Sequence, residues 1–276
     1  MHRYWYRALQ FIRFYRSAET RYQVHSPFVF EWVDAVLEDE RWYYAFEDIE
    51  AIRAKMLNST VEVEVLQYHT ASGDATPLRI KQPLRQIARL SASAPAQGRR
   101  LFRLAQWLKP ERMLELGTSL GIGTLYLGAA ARKARFITLE GSEACTHVAR
   151  ANLGILGLNH QVEVVPGLFQ DTLPAALITL GQVDMVFFDG HHRRVPTLEY
   201  LEAVLPYVHD RTVLVFDDIY WSPEMTAAWK QIRQHPRITL TVDCYDLAFA
   251  FVNPDFKAKQ HLRVVPRAWK PWKIFH

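Results

Sequence analysis

Carboxylates and histidines follow two apolar runs in the second half of the chain. The polar residues after these runs are Asp189, His191, His192, Asp217 and Asp218. The runs themselves, residues 183–188 and 212–216, predict buried parallel strands. Neighbouring parallel strands lie about 4.8 Å apart, so side chains at their carboxyl ends can share one ion. Because carboxylate oxygens suit Mg²⁺, Mn²⁺ or Ca²⁺, the acids Asp189, Asp217 and Asp218 are a candidate divalent-metal site.

A second feature, residues 113–123, joins a buried strand, an acid and a glycine-rich turn in the sequence M-L-E-L-G-T-S-L-G-I-G. Gly117, Gly121 and Gly123 lack the Cβ atoms that would keep a ligand away from the backbone. The helix expected next offers free N–H groups at its start, which predicts a nucleotide-type site in a doubly wound α/β domain. The spacing G-x-x-x-G-x-G differs from the dinucleotide fingerprint G-x-G-x-x-G and disfavours hydride transfer.

A further acid, Glu140, closes the next expected strand, about two dozen residues after Glu115. This separation is what a strand–helix–strand repeat requires, and it puts Glu140 where a ribose-binding acid belongs. The structural alternative is a solvated carboxylate in a turn.

Residues 115–121 resemble the first motif of the class I S-adenosylmethionine-dependent methyltransferases, E/D-x-G-x-x-x-G. The resemblance implies S-adenosylmethionine as cofactor, with the residue in the position of Glu140 holding both ribose hydroxyls. It also implies that the loop after the strand at residues 161–165 contacts adenine. The implied cofactor-binding residues are Glu115, Gly117, Thr118, Ser119, Gly121, Glu140, Gly141, Ser142, Gly167, Leu168 and Asp189.

The segments F-F-D-G-H-H and F-D-D resemble the catechol O-methyltransferase branch of this superfamily. In that branch an Asp and a later Asp-Asp or Asp-Asn pair hold a divalent ion that orients the acceptor hydroxyl, and Asp189, Asp217 and Asp218 match these positions. A Lys or His base follows three residues after the first ligand, here His192. A neutral imidazole there would take the proton of a phenol or alcohol as the methyl group moves. Asp189 and His191 are the other catalytic candidates.

Two alternatives to this site stay open. Many related methyltransferases keep the acids and bind no metal. Asp189 would then only fix a loop, Asp217 and Asp218 would cap the next helix, and both histidines would be solvated. With H-S-P-F-V-F near the start, the motifs also resemble a group of predicted methyltransferases of Bacteroidetes type, whose acceptors are not established.

The expected fold is α/β, with a Rossmann-like, doubly wound, seven-stranded and mostly parallel sheet. An antiparallel hairpin at residues 238–243 and 247–252 would end the sheet, as in methyltransferases and unlike dinucleotide-binding domains. The expected parts are an N-terminal helical extension and loop at residues 1–80, a methyltransferase domain at 81–265 and a basic aromatic tail at 266–276.

The N-terminal region carries interleaved arginines and aromatic residues, and Trp5, Leu9 and Ile12 share one helical face. A helix packed on its own domain with a solvated arginine face is the favoured interpretation. A lid over the acceptor, a contact in a homodimer and peripheral contact with an anionic membrane are the alternatives. The polar stretch at residues 58–83 is expected to be a loop, most flexible at residues 70–76.

Composition narrows the function. A net charge of +4 gives no strong nucleic-acid signal. There is no run of about eighteen apolar residues that would span a membrane. Two cysteines and no visible signal peptide favour a reduced, cytoplasmic setting.

The predicted function is O-methyl transfer to a small or medium acceptor. The alternatives are N-methyl transfer without metal, or a cofactor- or RNA-binding module without turnover.

Overall fold

The computed structural model describes residues 2–67, 78–90 and 92–274. Its strands are β1 (Glu62–Gln67), β2 (Leu78–Pro83), β3 (Arg112–Leu116), β4 (Arg135–Glu140), β5 (Val162–Pro166), β6 (Val183–Phe188), β7 (Val208–Asp217), β8 (Leu240–Asp243), β9 (Leu247–Phe251) and β10 (Gln260–Arg263). Its α-helices are α1 (His2–Ser17), α2 (Pro27–Val36), α3 (Tyr44–Leu57), α4 (Leu84–Leu90), α5 (Pro95–Leu108), α6 (Ile122–Ala130), α7 (Glu143–Ile155), α8 (Phe169–Leu180), α9 (Arg194–Val204) and α10 (Pro223–Gln234).

The central sheet has eight strands in the order β10-β8-β9-β7-β6-β3-β4-β5. Strand β9 runs antiparallel to its neighbours β7 and β8, and the other pairs in this sheet are parallel. The expected fold class and its antiparallel hairpin are confirmed, with one strand more than the seven expected. The additional strand, β10, has the sequence Q-H-L-R, which contains no apolar run that would predict a strand.

Two apolar cores lie on opposite faces of the sheet because successive residues of a strand point to opposite sides. Met113 of β3 belongs to one core, and Leu114 and Leu116 belong to the other. Helices α2, α3, α5 and α6 cover the first face. Helices α8, α9 and α10 cover the second, together with Phe14 of α1. Both cores bury residues of the N-terminal extension.

The chain passes from one face to the other round the β10 edge of the sheet. The backbone N–H of Glu19 donates to the carbonyl of Arg263 at 2.8 Å, and the N–H of Val265 donates to the carbonyl of Glu19 at 2.9 Å. This short backbone pairing fixes where α1 ends, so that α1 and α2 lie on opposite faces.

Helix α1 packs on the domain through a different face from the one that its apolar spacing suggested. Phe14 is 1% exposed, whereas Trp5, Leu9 and Ile12 are 68%, 51% and 53% exposed. The exposed side of α1 also carries arginines, among them Arg13. The interpretation of a helix packed on its own domain agrees with this arrangement, but the apolar stripe faces solvent.

The prediction of a loop at residues 58–83 is partly wrong, because β1 and β2 pair antiparallel with Val63 opposite Gln82. Residues 70–76 lie outside the described residues. The expected boundary between residues 80 and 81 falls inside β2.

In the tail, the Tyr15 hydroxyl donates to the carbonyl of Trp269 at 2.6 Å, which holds the described part of the tail against α1. Within the described ranges, no helix is both long enough and apolar enough to cross a bilayer.

Candidate active site

The turn between β3 and α6 is built on close backbone approach. Gly117 has φ +111°, and a Cβ there would lie far inside van der Waals contact of the Asp189 carbonyl oxygen. The N–H of Asp189 in turn donates to the carbonyl of Leu116 at 2.9 Å. Gly121, at φ +85°, precedes α6 and packs on Ala149. The two loops that sequence analysis singled out, after β3 and after β6, are therefore in direct backbone contact.

Glu115 lies inside this turn, with 1% of its surface exposed. Its Oε2 atom accepts hydrogen bonds from the hydroxyls of Thr124 and Thr138, both at 2.6 Å. Burial raises the pKa of Glu115 to about 7, and the two hydroxyl donors oppose that rise. The Thr118 hydroxyl lies 2.6 Å from that of Thr138. Glu115 and Thr118 thus join β3, α6 and β4, and sequence analysis had assigned both residues to cofactor contact.

Glu140 lies at the end of β4 and faces the same turn. Its Oε2 atom accepts from the backbone N–H of Ser119 at 2.7 Å, and its Oε1 atom accepts from the N–H of Ser142 at 2.8 Å. Burial raises the pKa of Glu140, while these backbone donors lower it. The Ser119 hydroxyl oxygen is buried and has no hydrogen-bond partner. An unsatisfied hydroxyl beside a carboxylate suits a ligand that carries hydroxyl or charged groups.

A cleft of about 620 Å³ opens beside Glu140. Its lining residues include Gly141, Ser142, Gly167, Glu64 and Arg79. The Ser142 hydroxyl donates to the carbonyl of Glu64 at 2.7 Å, which fixes β1 over the cleft. The N–H of Gly167 donates to the carbonyl of Glu140 at 2.9 Å, and Leu168 directly precedes α8. Three residues expected at the cofactor therefore share one cleft, and its β1–β2 wall was missed by sequence analysis.

The acids at the ends of β6 and β7 form a buried pair. The side chains of Asp189 and Asp217 are hydrogen-bonded to each other, and burial raises the pKa of both. The charge of Asp217 adds to the rise at Asp189, and the charge of Asp218 adds to the rise at Asp217. The pKa of Asp217 rises to about 8. The Gln97 amide of α5 also donates to Asp217. Sequence analysis missed Gln97, whose only signal was its place near the start of a helix before β3.

The donor set at this point has the right chemistry for a hard divalent cation, because it consists of carboxylate oxygens. The arrangement is less suited, since Asp189 and Asp217 contact each other as a proton-sharing pair. Within residues 2–67, 78–90 and 92–274, no group of three or more His, Cys, Asp or Glu side chains is arranged to hold a metal ion. The described side chains therefore supply the right kind of ligand atom for a metal ion but not the right arrangement.

The two histidines after β6 point to different surroundings. His192 Nε2 lies 3.7 Å from Asp189 Oδ1, so this imidazole faces the buried acids. His191 Nδ1 lies 2.8 Å from the Tyr200 hydroxyl, and burial lowers its pKa to about 4. The ring of Phe169 packs edge-on against both His191 and Tyr200. The structure thus puts His192 beside the acids, whereas His191 is packed among aromatic rings and its imidazole is neutral near pH 7.

Aromatic side chains border the open side of His192. The Trp221 ring is half-buried, with its centroid 6.3 Å from that of His192. The neighbouring Tyr220 is buried instead, stacked 5.2 Å from Tyr245 and donating from its hydroxyl to Asp243 at 2.5 Å. Of these two adjacent aromatic residues, Trp221 faces the site and Tyr220 belongs to the core.

Comparison with known proteins finds methyltransferases. Residues 114–219 match the family described as "Methyltransferase domain". A catechol O-methyltransferase of Mycobacterium tuberculosis is 33% identical over 135 residues, which is 49% of this chain and 59% of that protein. A catechol O-methyltransferase of Niastella koreensis is 34% identical over 128 residues, which is 46% of this chain and 57% of that protein. The chain therefore spans less than two thirds of the length of either relative.

Solved structures support the fold. An O-methyltransferase from Bacillus cereus, in complex with S-adenosylhomocysteine, has a TM-score of 0.55 and 22% identity, over 82% of this chain and 97% of that one. The fold and the turn after β3 first define the molecule as a Rossmann-like α/β domain with the sheet of methyltransferases. Residues 114–219 then match a methyltransferase domain, and over this part the chain is similar to the catechol O-methyltransferases, which supports a class I S-adenosylmethionine-dependent methyltransferase.

Proposed function

We propose that the chain transfers the methyl group of S-adenosylmethionine to an oxygen atom of a small or medium acceptor molecule. The observation that carries this proposal is the place of His192, whose Nε2 lies 3.7 Å from Asp189 Oδ1 at the same sheet edge as Glu140. A base and a cofactor site at neighbouring strand ends are what methyl transfer to a hydroxyl group requires. The names of the relatives also support an oxygen acceptor.

In this proposal Glu140 accepts hydrogen bonds from the ribose hydroxyls. Ser119 and the backbone of Gly117 hold the amino-acid part, and the cleft beside Gly167 takes the adenine. When bound, S-adenosylmethionine supplies a methyl group on a sulfonium, which is open to in-line attack. His192 Nε2 takes the proton of the acceptor hydroxyl as the oxygen–carbon bond forms and the carbon–sulfur bond breaks. Asp189 steadies the imidazolium charge that results.

The expected divalent cation at Asp189, Asp217 and Asp218 would require these side chains to leave their present arrangement, in which Asp189 and Asp217 form a pair. The opposing interpretation keeps these acids as a proton-sharing pair, as in transfer to nitrogen without metal. Activity measured with EDTA and then with added MgCl₂ separates the two. Loss with the chelator and recovery with Mg²⁺ supports the cation, whereas unchanged activity rejects it.

The central test is calorimetric titration with S-adenosylhomocysteine, followed by an assay with catechol, the acceptor named by the relatives. Micromolar binding and catechol methylation that His192→Ala abolishes support the proposal. Absence of cofactor binding by the wild-type protein rejects it. Tight binding together with turnover that His192→Ala leaves unchanged would reject the base assignment and favour another role for the domain.

A further inference from the structure

Helix α1 brings a guanidinium group to the open side of the site. The Cζ atom of Arg7 lies 4.9 Å from the centroid of the Trp221 ring. That ring centroid lies 6.3 Å from the imidazole of His192, whose Nε2 is 3.7 Å from Asp189. A continuous series of side chains therefore leads from the buried acids, through the expected base and an aromatic face, to a cation.

The position of Arg7 is fixed by contacts on both sides of it in the helix. The Tyr6 hydroxyl donates to Thr226 Oγ1 at 2.8 Å, and the Tyr245 hydroxyl donates to the backbone carbonyl of Arg7 at 2.8 Å. About two turns further on, Phe14 is buried against Tyr245, with ring centroids 5.5 Å apart. Arg7 is thus held near the site by a docked element rather than by a free terminus.

No carboxylate of the described residues forms an ion pair with Arg7. In the described part of the chain Arg7 is half-buried and forms no ion pair, whereas Arg53 and Arg100 each bond a carboxylate. A partly desolvated guanidinium without a carboxylate is costly unless another anion approaches it. The planar guanidinium donates two parallel hydrogen bonds to a carboxylate, which makes it selective for that group.

We propose that Arg7 binds an anionic group of the methyl acceptor, and that the acceptor is a hydroxylated aromatic carboxylate. Its ring would lie on Trp221, with the carboxylate at Arg7 and the reacting hydroxyl at His192. This inference rests on the proposed methyl transfer and extends it from an oxygen acceptor to an acidic one. Arg7 is then a specificity residue that the catalytic domain recruits from its N-terminal extension.

Two acceptors that differ only in the carboxylate, 3,4-dihydroxybenzoate and catechol, provide the test. Their binding to protein loaded with S-adenosylhomocysteine is measured by calorimetry, and their methylation by steady-state kinetics. We expect wild-type protein to prefer 3,4-dihydroxybenzoate. Arg7→Gln should raise the Kd and KM for 3,4-dihydroxybenzoate by about 10- to 100-fold, as expected for a lost hydrogen bond to a charged group. The Kd and KM for catechol should change by less than about twofold. Arg7→Lys should recover part of the loss.

Arg13→Gln is the matched control, because Arg13 lies on the same helix and is exposed to solvent. It should leave both acceptors unaffected. The inference would be overturned if Arg7→Gln weakened the binding of both acceptors equally. It would also be overturned if the wild-type protein showed no preference between the two acceptors, or bound neither. Binding of S-adenosylhomocysteine and turnover of catechol are separate readouts. If they persist while the preference is absent, the specificity assignment fails and the proposed methyl transfer stands.

Discussion

The Oε2 atom of Glu140 accepts a hydrogen bond from the backbone N–H of Ser119 at 2.7 Å. This contact ties the carboxyl end of β4 to the glycine turn after β3. The buried Ser119 hydroxyl lies in the same turn without a partner. The carboxylate of Glu140 is therefore fixed in position by two backbone N–H groups, those of Ser119 and Ser142.

Replacing Glu140 by Gln should weaken cofactor binding. The amide removes the charge that accepts hydroxyl groups, and a hydrogen bond to a charged group is worth about 1.5–3 kcal/mol. We expect the Kd for S-adenosylhomocysteine to rise by about 10- to 100-fold in calorimetry. Glu163→Gln, an exposed change on the neighbouring strand β5, should leave the Kd unchanged. Similar affinity in both variants would exclude Glu140 from the cofactor site.

Replacing His192 by Ala should reduce kcat while leaving the affinity for S-adenosylhomocysteine intact. General-base catalysis contributes about 10²- to 10⁴-fold, so a fall of that size is expected in the catechol assay. His160→Ala, at an exposed position, is the control and should have no effect. A fall of less than about twofold in His192→Ala would contradict the assignment of the base.

Gly117→Ala should lower both stability and cofactor affinity, since its new Cβ would clash with the Asp189 backbone. Gly157 provides the comparison, because it also has a positive φ, at +64°, with no atom within 4 Å of a built Cβ. Gly157→Ala should cost about 1 kcal/mol from backbone strain alone. Gly117→Ala should cost about 1–3 kcal/mol more from overpacking. Urea unfolding of the two variants measures the difference, and equal costs would show that the loops are not tightly packed.

The stability of the cofactor-free protein should depend on pH through Glu115. Burial raises its pKa from an ordinary 4.5 to about 7, so the folded state binds the proton more tightly than the unfolded state. The contribution of Glu115 to stability is then fully present below pH 4.5, is lost as pH rises, and stays constant above about pH 7.

This loss amounts to about 3 kcal/mol, and Glu115→Gln should remove it. Urea unfolding between pH 5 and 8 should show the free energy of unfolding of the wild type falling relative to that of the variant by up to this amount. A constant difference across that range would mean that Glu115 keeps an ordinary pKa. Thr124 and Thr138 remain as hydrogen-bond donors to the Gln side chain.

The sequence predicts those parts of the site in which side chains meet because their strands end at the same edge of the sheet. Asp189 and Asp217 were expected to meet because adjacent parallel strands finish at the same edge, and they are hydrogen-bonded. Glu140 was expected opposite the glycine turn for the same reason. These expectations need only the order and direction of the strands, which apolar runs and glycine turns encode.

Other contacts depend on tertiary packing that no local pattern encodes. His191 and His192 are adjacent and both have positive φ, at +64° and +28°, and these backbone angles decide which imidazole meets the acids. Gln97 reaches Asp217 only because α5 packs across the sheet end. The polar sequence of β1 and β2 resembled a loop, since a pair of strands outside the main sheet needs no continuous apolar run.

The backbone contact between Gly117 and Asp189 has a practical consequence for engineering this chain. Random substitution across the loops after β3 and β6 would mostly yield inactive clones, because neither loop has room for a new side chain facing the other. Helix α1 offers the opposite situation, since it borders Trp221 with several exposed positions. A mutant library confined to α1, with both loops unchanged, would allow activity on new acceptors to be screened while most variants still fold.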